Sequence, residues 1–236
     1  MKYALVTGST TGIGLAVTRE LFNNGFFVYM HYFHDISAED DEIIAPDKRR
    51  LVKADLSTPE GAGILTDEIV KEDIKLDAVV LNAGVSCRKP FGQVSYDDWN
   101  EVMNVNVNSS FQLCQQLYPH ITDSGSITFI GSDMGIYPHA ISHVYSVSKA
   151  ASHMLAQSLV KEFSEQGIRV NVIAPGFIDT DWQNEKPQWL REKIEEKIAL
   201  KRFGTPNEVA DACMFLVNNS YMNGAILQID GGYCYM

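Results

Sequence analysis

Basic charge is scarce in this chain: 19 lysines and arginines face 30 acids over 236 residues, a formal net charge of -11 at pH 7. No broad basic face is left for phosphate backbones, so nucleic-acid binding is disfavoured. Cysteine is sparse as well. Cys87, Cys114, Cys213 and Cys234 stand far apart with no CxxC pair, which argues against a zinc ribbon or a disulfide framework and fits reduced thiols in a cytoplasmic protein. Long apolar runs are missing too: stretches such as Asp77-Ala-Val-Val-Leu81 are strand-sized, well short of the ~20 residues that span a bilayer. The opening Met1-Lys-Tyr-Ala-Leu-Val-Thr-Gly8 places a glycine turn where a signal peptide would continue its apolar region, so export is not expected. With no internal repeat, low-complexity tract or linker, the chain is expected to form one domain over residues 1–236.

What is present is alternation. Lys2-Tyr-Ala-Leu-Val6 is an apolar run closed by Gly8, and Leu15, Val17, Leu21 and Phe22 then follow helical spacing until Asn24-Gly25. Phe26–Met30 reads as a second strand, with further ones at Leu51-Val52, Ala78–Leu81, Ile127–Ile130, Val170–Ala174 and Ala225–Ile229. Helix-length stretches lie between most of them. Parallel strands need crossover connections, so the alternation predicts a doubly wound, mostly parallel α/β sheet of Rossmann type with helices on both faces. The connection from His31 to Arg50, acidic at Glu39-Asp-Asp-Glu42 and broken by Pro46, is expected to hold a short or irregular helix. Residues 177–203, with Trp182, Trp189 and a charged helical run from Leu190 to Lys197, are expected to form a substrate flap, an ordinary surface helix being the alternative.

Thr7-Gly8-Ser9-Thr10-Thr11-Gly12-Ile13-Gly14 lies where the first strand hands over to the first helix. Glycines there permit a tight turn and let backbone N–H groups approach a pyrophosphate at the helix N-terminus. Their spacing is Gly-x3-Gly-x-Gly, not the common Gly-x-Gly-x2-Gly fingerprint. Asn82-Ala83-Gly84 follows the fourth strand and Asp55-Leu56 the third. Tyr145-Ser-Val-Ser-Lys149 comes later, with Ser132 upstream of its tyrosine and Asn106 inside Val105-Asn-Val-Asn-Ser-Ser-Phe111. Pro175-Gly176 with Ile178 and Thr180, then Arg202-Phe-Gly-Thr-Pro206 and Asp230-Gly-Gly232, continue towards the C-terminus. By these motifs the chain resembles the short-chain dehydrogenase/reductase family in its compact one-domain branch. It is similar to the family's 3-oxoacyl-[acyl-carrier-protein] reductases over essentially its whole length.

A phenol titrates near 10, so a tyrosine works as an acid–base group at neutral pH only beside a cation. Tyr145 and Lys149, four apart on a helix, share a face on which the ammonium can lower the phenol pKa and reach a ribose; alone, that spacing also fits a surface helix. Ser132, just past Ile127–Ile130, falls at the carboxyl edge of the sheet where such folds bind ligands, with strand-end capping as its plainer role. The resemblance implies hydride transfer between a nicotinamide and a carbonyl or secondary alcohol, Tyr145 acting as acid/base and Ser132 steadying the oxygen. It places Asn106 at a helix distortion whose carbonyl holds a water linking Lys149 to solvent, with Asn108 as rival. It also implies a cofactor cleft of Gly8, Thr10, Thr11, Gly12, Ile13 and Gly14, with Asp55 and Leu56 at the adenine. Asn82, Ala83 and Gly84 would line it, and Pro175, Gly176, Ile178 and Thr180 would stand towards the carboxamide.

An acid at the end of the second strand accepts from the ribose 2′-OH of NAD and repels a 2′-phosphate. That place is Tyr32; the next residue, arginine in many phosphate-binding relatives, is Phe33, and Thr11 is not basic either. His31 and His34 are candidates to help a phosphate, with no arginine or lysine nearby, and NADP(H) is expected over NAD(H). The substrate stays open between a 3-oxoacyl thioester and a small ketone, sugar, polyol or steroid. Against carrier-protein docking stand Asp123 and Gln166, where carrier reductases place arginines. Met134, Ile136, Tyr137, His139 and His143 are expected to shape the pocket and Trp182 and Trp189 to close it. His139 and His143 lack a third ligand, so no metal site is expected. An enoyl reductase of this fold would carry its tyrosine at Ser142, and a silent cofactor-binding regulator would have lost part of the Asn106, Ser132, Tyr145 and Lys149 set. The resemblance further implies a homodimer or homotetramer, joined through the helices of Asn106 and Tyr145 and the tail Tyr233–Met236, with no nucleic-acid or membrane partner.

Overall fold

The computed structural model describes residues 1–34, 45–138, 141–184 and 186–236, so Asp35, the acidic 39–42 run and His139 lie outside the described residues. In chain order the strands are β1 (Lys2–Val6), β2 (Phe26–Tyr32), β3 (Arg49–Lys53), β4 (Leu76–Leu81), β5 (Ile121–Ile130), β6 (Arg169–Pro175) and β7 (Ile226–Ile229). They form one 7-stranded sheet in the order β3-β2-β1-β4-β5-β6-β7, and each neighbouring pair is parallel. The chain runs outward from β1 in one direction and returns to run outward from β4 in the other. The crevice between the carboxyl ends of β1 and β4 is therefore the switch point at which such sheets bind ligands.

The helices are α1 (Gly12–Asn23), α2 (Pro59–Val70), α3 (Tyr96–Met103), α4 (Ser109–Leu117), α5 (His143–Glu162), α6 (Gln188–Lys197) and α7 (Pro206–Asn218). Side chains alternate across a strand, and the two cores follow that alternation. Ala4, Val6, Val28, Met30, Ala78 and Val80 pack with Val17 and Leu21 of α1 and Val209, Cys213 and Leu216 of α7. Leu5, Tyr29, Val79, Leu81, Ile127 and Phe129 pack on the other face with Leu65 and Ile69 of α2, Leu113 and Leu117 of α4, and Ala156 of α5. Two helices start at capping boxes, Ser95 with Asp98 for α3 and Thr205 with Glu208 for α7, each closing two otherwise unpaired N–H groups. No helix among the described residues is long and apolar enough to cross a membrane.

Of the His31–Arg50 connection, a 3-10 turn at Pro46–Lys48 is seen. In the 177–203 segment α6 presents Leu190, Ile194 and, just past its end, Ile198 at four-residue spacing, and these pack with Phe177, Phe203 and Tyr233 into a small core of their own.

Candidate active site

The glycine loop is shaped by sterics and held from beneath. Gly8 and Gly12 take φ of +60° and +51°, a region open to glycine. Gly14 is fixed by space instead: a Cβ there would collide with the Gly8 carbonyl oxygen and stand 2.5 Å from Asn82 Nδ2. Asn82 Nδ2 donates to the carbonyls of Thr7 (3.0 Å) and Gly8 (2.8 Å). In return Thr7 Oγ1 accepts from the N–H groups of Asn82 (2.9 Å) and Ala83 (3.0 Å). The Asn82 side chain thus clamps the loop. Thr11 sits at the N-cap of α1 with no side-chain capping bond, which leaves the first N–H groups of α1 facing the loop. A glycine-lined turn on an uncapped helix start fits a pyrophosphate.

His31 is a second clamp. Its Nδ1 accepts from Gly8 N–H at 3.0 Å and its Nε2 pairs with the Ala54 carbonyl at 3.1 Å, an arrangement that only the neutral Nε2–H tautomer satisfies. Burial holds its pKa below the ordinary value. Both ring nitrogens are occupied, so His31 does not serve a 2′-phosphate as expected. A cation does stand at the end of β2, contrary to the reading of the sequence: Lys53 of β3 lies opposite Tyr32 in register, with Nζ 6.0 Å from the centre of its ring. Phe33 is exposed and tilts onto His34.

Other expected cofactor contacts divide. Leu56 and Ile178 are buried in the two cores, so only their backbone can meet a ligand. Asp55 Oδ1 accepts from Ser57 N–H (2.9 Å) and from its hydroxyl (2.7 Å). Gly176 N–H donates to the Ile229 carbonyl at 2.9 Å, extending β6 past Pro175. Thr180 crosses to the glycine loop, where a Cβ on Gly12 would touch its Cγ2 at 3.3 Å. Thr10 and Ile13 are half-buried beside it.

Between α3 and α4 the helix opens into a π turn, Asn104–Asn108, at the expected distortion. Asn106 Oδ1 accepts from Val85 N–H (2.8 Å) while Nδ2 donates to the Val85 carbonyl (2.9 Å) and to Ser148 Oγ (2.9 Å). Its carbonyl accepts from Ser152 Oγ at 3.0 Å. Asn108 instead bonds Asn104 at the surface. Gly84 lies between this amide and the lysine: a Cβ there would be 3.3 Å from Asn106 Oδ1 and 3.6 Å from Lys149 Nζ.

Lys149 is buried, donates from Nζ to the Ile130 carbonyl at 2.7 Å and stands 5.6 Å from the centre of the Tyr145 ring. Burial brings its pKa down to about 8. The Tyr145 phenol is pushed up to about 12 by burial, opposed by a hydrogen bond with Ser132 and by the charge of Arg88. Burial outweighs the influences that lower this phenol, and the Lys149 ammonium is turned to the Ile130 carbonyl. Ser132 Oγ accepts from Met134 N–H at 3.2 Å, so it caps a turn as well as meeting Tyr145. Trp182 stands edge-on to Tyr145 with ring centres 6.1 Å apart. Trp189 is 64% exposed on α6. His143 packs edge-on against Phe91; Ile136 and Tyr137 are exposed.

One buried group here was not foreseen. His153 Nε2 accepts from Ser132 N–H at 3.3 Å, and burial, then the charge of Lys149, push its pKa down to about 4. Gly131 makes the room, since a Cβ there would collide with that nitrogen. The signal was readable, because Tyr145, Lys149 and His153 repeat every four residues on one face of α5. Behind Ser132, ligand atoms of Asp133, Asp230 and Cys234 lie within 4.8 Å of one another. They are bonded among themselves, Cys234 Sγ to Asp133 (3.7 Å) and Cys234 N–H to Asp230 (2.9 Å). Burial and Asp230 raise Asp133 to about 6.

Comparison with known proteins covers the whole of this architecture. A family model described as enoyl-(acyl carrier protein) reductase matches residues 8–234. The chain is 32% identical over 241 residues to the 3-oxoacyl-[acyl-carrier-protein] reductase FabG of Thermotoga maritima, covering 98% of this chain and 97% of that one. It superposes with a TM-score of 0.91 on a short-chain dehydrogenase/reductase from Serratia marcescens, at 29% identity over 98% of this chain and 97% of the other. A Pseudomonas aeruginosa RhlG/NADP active-site complex gives a TM-score of 0.89 at 31% identity, over 98% and 96% of the two chains.

Proposed function

The chain belongs to the short-chain dehydrogenase/reductase family, and from that premise we propose that it reduces the carbonyl group of a small molecule with NADP(H), Tyr145 giving the proton. It is an oxidoreductase working with a nicotinamide cofactor, which when bound supplies or accepts the hydride. The observation that carries the reading is the pairing of Tyr145 with Ser132 at the carboxyl edge of the sheet, beside buried Lys149.

A phenol held near 12 is protonated at neutral pH, the state a donor to a carbonyl oxygen requires. The Ser132 hydroxyl is placed to bond the same oxygen as negative charge develops on it. Lys149, near 8, is mostly charged at neutral pH and offers a cation next to the tyrosine once its proton has left. Asn106, locked to Val85 by a two-way amide pairing, sets the π turn against α5. The loop from Gly8 to Gly14 and the uncapped start of α1 would hold the pyrophosphate. Lys53, facing Tyr32, would pair with a 2′-phosphate, and the RhlG relative with NADP supports that preference. Ser142 in the place of an enoyl reductase's tyrosine favours carbonyl over enoyl reduction.

The name of the Thermotoga relative supports a 3-oxo compound, as thioester or smaller ketone. One domain is proposed, with residues 177–203 as a flap that brings Trp182 to Tyr145. Four free thiols suit the cytoplasm. A dimer or tetramer joined through α3, α4, α5 and the C-terminal tail is supported by exposed Phe111, Val147, Met154 and Tyr235. The test is NADPH and NADH oxidation over a panel of ketones, a 3-oxoacyl thioester included, with Tyr145→Phe as control. Tyrosine-dependent turnover with NADPH preferred is expected. Tight cofactor binding with no turnover on the panel would favour a silent regulator instead.

A further inference from the structure

Arg88 is exposed on the loop after β4 and has no hydrogen-bonding or ion-pair partner among the described residues. That is unusual in a chain where 30 acids outnumber 19 bases. The neighbouring cation is satisfied: Lys89 Nζ lies 2.7 Å from Asp98, and Asp98 is in turn held by Ser95. Asp98, in the first turn of α3, is thus committed to Lys89, leaving Arg88 without a counter-ion among the described residues.

The loop is also fixed against the helix that carries the reactive tyrosine. On one side of Arg88, Cys87 is buried in a cluster with Val102 and Val144, the residue before Tyr145. On the other side, Phe91 stacks edge-on against His143, ring centres 5.5 Å apart. Anchored on both sides to the first turn of α5, the segment holds Arg88 beside the helix that carries Tyr145. Its charge is felt by the Tyr145 phenol.

We propose that Arg88 is a specificity-determining residue that binds the carboxylate of an oxo acid whose carbonyl is reduced at Tyr145. A guanidinium presents paired N–H donors that match a carboxylate, and an unpaired one near a partly buried site gains most from such a partner. The inference rests on the carbonyl-reductase reading and narrows its substrate to acids carrying the anion close to the ketone.

The test compares acetoacetate with its neutral methyl ester and with the N-acetylcysteamine thioester of the same acid, on the wild-type enzyme, Arg88→Gln and Arg88→Lys. A hydrogen-bonded ion pair of this kind predicts that Arg88→Gln lowers the acid-to-ester ratio of kcat/KM about 10- to 100-fold, mainly through KM, with partial recovery in Arg88→Lys. Equal losses on acid and esters, accompanied by a shifted pH profile, would mean that Arg88 acts only through the Tyr145 phenol and would overturn the proposal. So would a wild-type enzyme that turns over the esters and not the acid, which leaves the reductase reading standing. Absence of Tyr145-dependent turnover on all three substrates would remove that reading and the proposal together.

Discussion

Burial sets the protonation of the residues around Ser132, and the consequences are measurable. His153 is neutral in the fold because its pKa lies near 4, whereas the unfolded chain takes up that proton at the ordinary 6.5. Between those values the unfolded state binds more protons, so stability present above pH 6.5 is lost as pH falls towards 4. His153→Gln is expected to flatten that slope, by about 2–3 kcal/mol between the two ends, in urea unfolding followed at each pH. Asp133 runs the other way. Its pKa of about 6 exceeds the usual 3.8, so the folded state holds the extra proton and stability falls as pH rises through that window. Asp133→Asn is expected to raise the unfolding midpoint at pH 7 and leave it little changed at pH 4; a lower midpoint at pH 7 would contradict the burial argument. Lys53 belongs to this scale too. If it meets a 2′-phosphate, Lys53→Ala raises KM for NADPH about tenfold or more and leaves KM for NADH within about twofold. Neither Lys53 nor His31 could be placed from sequence, since one needs the β2–β3 register and the other the path of its ring towards Gly8.

Elements were easier to read than contacts. Every strand foreseen from its apolar run is present, because a parallel strand covered on both faces has to be a nearly continuous hydrophobic segment. The candidate site at their carboxyl edge was expected from the glycine loop and the Tyr145–Lys149 spacing. Side-chain direction was less visible: Leu56 and Ile178 lie beside the cleft in sequence and in the core in space. Two glycines separate sterics from propensity. Gly14→Ala is expected to abolish measurable cofactor binding and lower the melting temperature, because the added carbon meets the Gly8 carbonyl. Gly63→Ala, in α2 with open space around it, should instead stabilise by about 0.5–1 kcal/mol. Calorimetric cofactor titration with thermal unfolding of both variants checks the pair, and unaltered cofactor affinity in Gly14→Ala would sink the steric account of the loop.

Across the whole molecule, the packing leaves apolar side chains uncovered on α4 and α5. Phe111 of α4 is 46% exposed, and Val147 and Met154 of α5, the helix of Tyr145 and Lys149, are 45% and 64% exposed. Apolar side chains left in water in this way are what the proposed assembly would cover. Sedimentation at micromolar concentration is expected to give a dimer or tetramer, and Met154→Glu to shift it towards monomer; a clean monomer of the unaltered chain would contradict the assembly.

The central claim is that a hydride reaches the carbonyl carbon while Tyr145 protonates its oxygen. Its most direct test is reduction of a ketone by NADPH deuterated at C4, comparing the unaltered chain with Tyr145→Phe and locating the label in the product. Deuterium on the carbinol carbon from one face of the cofactor is predicted, with turnover about 10²- to 10⁴-fold slower in Tyr145→Phe and cofactor affinity retained. Label absent from that carbon, or Tyr145→Phe turning over at close to the original rate, would contradict it.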